Sequence, residues 1–85
     1  MNLTKDEHEK LIRWIETNLI PRTTFNDAKT SYGLKHIFEF SEGGFYVDNE
    51  TFKQAMLECG FKVRNPSKEN WIFNISQNSP ALKNF

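Results

Sequence analysis

The stretch Thr30–Ile75, TSYGLKHIFEFSEGGFYVDNETFKQAMLECGFKVRNPSKENWIFNI, decides the fold. Thr30 and Ser31 are both good N-caps, so a helix is expected over Ser31–Phe40. Leu34, Ile37 and Phe38 give it an apolar face at i, i+3 and i+4. Gly33 inside it costs about 1 kcal/mol against Ala, and marks either the close approach of another backbone or the first turn. Ser41-Glu42-Gly43-Gly44 stops the helix with a glycine available for a left-handed cap. Phe45-Tyr46-Val47 reads as a short extended piece. Asp48 or Asn49 then caps a helix to Cys59, in which Phe52, Ala55, Met56 and Cys59 share one face and Gly60 stands at the C-terminal end. Beyond it, Phe61–Arg64 and Trp71–Ile75 alternate apolar and polar residues around the turn-forming Asn65–Asn70, which predicts a hairpin with Trp71, Phe73 and Ile75 on one side.

Upstream, Thr4-Lys5-Asp6-Glu7 is a capping box, so the first helix starts at Thr4. Leu11, Ile12, Ile15 and Leu19 form its apolar stripe, and Pro21 ends it. That stripe could pack on the core or on a second copy of the chain, giving a homodimer. Residues 22–30 are polar and turn-prone, with Phe25 as an anchor. Residues 77–85 read as a flexible tail. The expectation is a single α+β domain over residues 1–76: three helices followed by a C-terminal β-hairpin. This is the element order of a winged helix, with a hairpin wing beside a presented third helix.

Eighty-five residues allow one domain with a modest core, and a 14% aromatic content, including eight Phe and two Trp, suits one built from large rings. Eleven basic and eleven acidic side chains leave a formal net charge of zero, which does not favour strong non-specific binding to nucleic acid. The distribution is uneven. Residues 1–50 hold six basic against nine acidic side chains, and residues 51–85 five against two. One face could therefore still be basic. A single cysteine, Cys59, excludes an internal disulfide and a cysteine-bound metal. With no signal-like or membrane-spanning apolar run, the chain is expected in the cytoplasm without a membrane partner.

Chemistry-bearing patterns are sparse. His8 and His36 lack companions at metal-ligand spacing, and Cys59 sits on a predicted buried stripe, where cysteine acts as a small hydrophobe. Gly43-Gly44 has no phosphate-loop context. No catalytic residue and no cofactor is expected, and the chain reads as a non-enzymatic binding protein. In a winged helix the outward side of helix 3 enters the major groove and the wing touches phosphate. Lys53 and Gln54 would then face the bases, since Lys suits phosphate or guanine and Gln adenine. Lys62, Arg64 and Lys68 of the wing would contact phosphate. Ser31 and Lys35, at the start of helix 2, would add backbone contacts. The bland alternative is that these are ordinary solvated faces. The aromatic residues allow a second function class, a protein-interaction surface, with Trp14 and Phe40 as the rings expected to face outward.

Thr30–Glu39, Tyr46–Phe61 and Asn70–Ile75 resemble small proteins of phages and integrative elements of low-GC Gram-positive bacteria. They also look like the winged-helix segment attached to some phage primase-helicases. Tyr32, Leu34 and Phe38, then Tyr46, Asn49 and Gly60, carry the resemblance. It implies a mobile-element setting. DNA is then the first expected partner. A host or phage protein, such as a host enzyme or defence protein that the module inhibits or adapts, is the second.

Overall fold

The capping box at Thr4 starts the first helix as its spacing requires. In the computed structural model, which describes residues 2–83, α1 spans Lys5–Asn18. The Glu7 amide donates to Thr4 Oγ1 at 3.1 Å and the Thr4 amide donates to Glu7 Oε1 at 2.9 Å. α2 spans Ser31–Phe40 and α3 spans Asn49–Glu58. Asp48 caps α3 by accepting from the Thr51 amide at 2.7 Å. Gly60, at φ +86°, ends it in a left-handed turn: the Phe61 amide reaches back to the Met56 carbonyl at 3.2 Å. At the end of α2, a Cβ on Gly44 would stand 2.1 Å from the Phe38 carbonyl oxygen, so only glycine fits there.

α1 packs on α3, and α3 on α2, over one core. Leu11, Ile15 and Leu19 enter it with Leu34, Ile37, Phe38, Val47, Phe52 and Met56. Trp14 lies edge-on to Phe38 at 5.3 Å, and Phe38 edge-on to Phe45 at 5.0 Å. The α1 stripe is thus buried inside its own chain. Of the Leu11, Ile12, Ile15 and Leu19 stripe expected to pack on the core or on a second copy, Leu11, Ile15 and Leu19 are taken up by the core and Ile12 is partly buried against it.

The expected hairpin is absent, and with it the α+β class and the winged-helix reading. Among the described residues there are four helices and no sheet; the only β pairing is two isolated antiparallel bridges, Val63 to Phe73 and Pro21 to Ile75. The domain is small and mostly helical. The alternation at the C-terminal run is nonetheless real, since Trp71, Phe73 and Ile75 are all buried. What it does not specify is a ladder partner. The Arg64 amide donates to the Ile72 carbonyl at 3.0 Å, but the next candidate, the Lys62 amide, donates to the Asn74 side-chain oxygen at 2.7 Å. On the other side, the Asn26 amide takes the Phe73 carbonyl and the Arg22 amide the Asn74 carbonyl. The run is an extended cross-link between residues 20–31 and 62–64. Side chains of Asn74, Asn26 and Ser31 fill places that a sheet would give to backbone.

Within the segment 77–85, α4 spans Pro80–Lys83 and packs on α1. Ser79 is buried; its hydroxyl accepts from the Ile20 amide at 2.8 Å and donates to the Ser76 carbonyl at 2.7 Å. Residues 84 and 85 of the expected tail lie outside the described residues.

Candidate functional site

The residues expected to meet DNA divide into two groups. Gln54, Lys62, Arg64 and Lys68 are exposed. Arg64 and Lys68 border one shallow depression with Asn65 and Asn70. Arg64 is already paired with Asp27 at 3.2 Å, and that pairing holds the Asp27 carboxyl below its ordinary pKa. The other group points inward. Ser31 is fully buried: its amide donates to the Trp71 carbonyl at 2.8 Å, and its hydroxyl accepts from the Trp71 amide at 3.0 Å. Lys53 is 3% exposed, with its ammonium donating to Glu50 Oε1 at 2.7 Å and the Glu69 carbonyl at 2.8 Å. Lys35 is 4% exposed and bonds Glu39 Oε2 at 3.2 Å. Helical spacing places both lysines beside the apolar faces, where a long stem buries and the charged head finds a local acceptor.

Lys35 leads to the most distinctive surface of the molecule. Its Nζ lies 5.1 Å from the ring centre of Tyr32 and 5.1 Å from that of Tyr46. Both rings cover it from outside while remaining 50% and 65% exposed. On α2, Tyr32, His36 and Phe40 recur every four residues and form a ridge opposite the Leu34/Ile37/Phe38 face. Tyr32 meets the His36 imidazole edge-on at 4.4 Å, and His36 lies nearly parallel to Phe40 at 6.2 Å. Phe40 is 79% exposed. Trp14, the other ring expected to face outward, is half-buried against Phe38.

Beneath the ridge, Glu39 ties the cluster together. Its carboxylate accepts from Lys35 Nζ at 3.2 Å and from the Val47 amide at 3.0 Å, and meets His36 Nδ1 at 3.0 Å. Burial alone would raise the pKa of this carboxyl; the Val47 amide and the Lys35 ammonium more than reverse that, so it titrates below its ordinary value. An open cleft continues past Tyr46 along Asn49, Glu69 and Asn70. The Asn49 amide nitrogen donates to the Glu69 carbonyl at 3.0 Å and to Asn70 Oδ1 at 3.1 Å. Around the cleft Lys35 is paired with Glu39 and Lys53 with Glu50, and Glu69 adds a further carboxylate.

The other reactive side chains are occupied or inert. Burial, followed by Glu16 and Glu58, pushes the Cys59 thiol up to about 11, far from a thiolate at neutral pH. His8 Nε2 lies 3.1 Å from Glu58 on a half-exposed surface. Among the described residues, no group of three or more His, Cys, Asp or Glu could hold a metal ion, and no helix is long and apolar enough to cross a membrane.

Sequence reasoning singled out Phe40 and missed the other members of the ridge as surface residues. Their signal is the four-residue spacing of Tyr32, His36 and Phe40, centred on the side of α2 away from Leu34, Ile37 and Phe38. No protein-family model, curated protein or solved structure matches this chain. Any functional reading therefore rests on the site itself.

Proposed function

We propose that this chain is a protein-interaction module that docks a polypeptide on the aromatic face of α2. The observation that carries this reading is the exposed ridge of Tyr32, His36 and Phe40, flanked by Tyr46. Contiguous exposed rings of this kind mark partner sites on small proteins, and Tyr is enriched where one end of a side chain packs and the other meets water. The pairing of Lys35 with Glu39 and of Lys53 with Glu50 supports a polypeptide over a polyphosphate ligand, which needs uncompensated cations.

The DNA reading retains one supporting observation, the exposure of Lys62, Arg64 and Lys68 along a single arm. Two variants separate the readings: Phe40→Ser with Tyr46→Ser, and Lys62→Ala with Arg64→Ala and Lys68→Ala. A polypeptide retained by the wild type and by the triple variant, and lost by the aromatic double variant, is the expected result. A DNA duplex bound at low salt, released by the triple variant and indifferent to loss of the rings, would overturn it.

A further inference from the structure

We infer that the polypeptide docked on this face presents an arginine, whose guanidinium enters the cleft between Tyr32, Tyr46 and Glu69. This rests on the reading of the α2 face as a docking surface and names the chemistry of its partner. The cleft measures about 480 Å³, ample for one long side chain.

What the cleft leaves uncompensated is negative. Lys35 is buried, and its ammonium is spent on Glu39 Oε2 and on the Tyr32 and Tyr46 rings. Lys53 is buried too, and is spent on Glu50, the Glu69 carbonyl and the Trp71 ring. The Asn49 Nδ2 hydrogens go to the Glu69 carbonyl and Asn70 Oδ1, while Asn49 Oδ1 is buried without a donor. The Glu69 side chain stands exposed, with no ion pair among the described residues. The carboxylate of Glu50 is exposed as well. Two buried cations thus meet three carboxylates, Glu39, Glu50 and Glu69, and two of the three face solvent.

The complement to such a surface is a cation that also packs on rings. A guanidinium is planar and weakly hydrated, stacks on aromatic faces and carries five donors for several acceptors at once. A lysine ammonium is more strongly hydrated and gains less from half-exposed rings. Glu39, 3.2 Å from the Lys35 ammonium, offsets the repulsion of a second cation. The other cations nearby do not fill the cleft. Arg64 and Lys68 line the neighbouring depression past Asn70, and the Lys29 side chain lies against Gly33 with an interaction of its own.

Amide spectra of the ¹⁵N-labelled full chain, titrated with N-acetyl-Gly-Arg-Gly-amide at millimolar concentration, test this. The amides of Tyr32, Tyr46, Asn49 and Asn70 should move. Glu69→Gln, which removes an exposed charge and keeps the structural carbonyl, should weaken the response about threefold. The Lys counterpart of the peptide should bind more weakly, and the Glu counterpart should leave the cleft unmoved. An unmoved cleft overturns the proposal, as does a Lys or Glu peptide that binds as tightly or a response that Glu69→Gln leaves intact. If the wild type retains a polypeptide through Phe40 and Tyr46 that neither Glu69→Gln nor excess free arginine releases, arginine fails while the docking surface stands. If the cleft stays unmoved and no polypeptide is retained, both fail.

Discussion

The Lys53 ammonium sits 4.5 Å from the centre of the Trp71 ring, joining α3 to the extended C-terminal run. The same ammonium bonds the Glu69 carbonyl just before that ring, so one side chain fixes both the backbone and the indole of residues 69–71. A residue that looks like a base-reading cation is thereby a structural cross-link. A buried lysine of this kind is favourable only while its partners hold, because a desolvated charge left unpaired is costly.

Lys53→Ala should therefore destabilise the domain by roughly 2–3 kcal/mol, combining loss of a charged hydrogen bond and the ring contact. Lys53→Met, which keeps the stem, should cost less than Lys53→Ala. Urea unfolding followed by Trp fluorescence measures both. A change below about 0.5 kcal/mol for Lys53→Ala, the size expected at an ordinary surface site, would show that the side chain is free in solution.

Ser31 and Trp71 exchange two hydrogen bonds across the middle of the molecule. Ser31→Ala removes the acceptor for the Trp71 amide in a dry site and should cost about 1–3 kcal/mol. Ser31→Thr keeps the hydroxyl but adds a methyl group where no space remains, so it should not restore full stability. If Ser31 instead reached outward to a ligand, Ser31→Ala would leave the unfolding midpoint unchanged.

Glu39 sets an acid limit. Its carboxyl titrates below the ordinary value of 4.5 in the folded chain. The unfolded chain then binds this proton more readily than the native one. The stabilisation is fully present above that ordinary value and is lost as pH falls through the lower folded one. Glu39→Gln should flatten the loss of stability below about pH 4.5 and lower stability at neutral pH by about 1.5–3 kcal/mol, because Lys35 loses its charged partner. Chemical denaturation at neutral and acid pH would contradict this if the two chains lost stability in parallel.

Phe40 gives the opposite pattern to Lys53. Its ring is 79% exposed, so Phe40→Ser should shift stability by no more than about 0.5 kcal/mol while weakening capture of a polypeptide. A large drop in unfolding midpoint would mean that the ring belongs to the core.

Helix starts and stops were legible because their signals are local. Thr4 with Glu7, Asp48 with Thr51, and Gly60 each act within a few residues. The buried stripes of α1, α2 and α3 follow from 3.6-residue periodicity for the same reason. The hairpin was not legible: alternation at Trp71, Phe73 and Ile75 reports a buried face, whereas the choice of partner was made by Asn74, Asn26 and Ser31 at long range. Lys35 and Lys53 escaped for a related cause. A lysine in a sequence gives no sign of whether a ring and a carboxylate will close over it. Of the exposed aromatic face, Phe40 could be suspected from the aromatic surplus, but the joining of Tyr46 to the α2 ridge through Lys35 depends on the turn at Gly43-Gly44 and on packing beyond it.

The central claim is that recognition lies on the α2 face and not on the basic arm at residues 62–68. Amide spectra of the ¹⁵N-labelled chain, recorded alone, with a polypeptide that the wild type retains, and with a short DNA duplex at low salt, test it directly. The polypeptide should shift the amides of Tyr32, Gly33, His36, Phe40 and Tyr46, and the duplex should leave Lys62, Arg64 and Lys68 in place. Shifts confined to Lys62, Arg64 and Lys68 on adding duplex, with α2 unmoved by the polypeptide, would contradict the account.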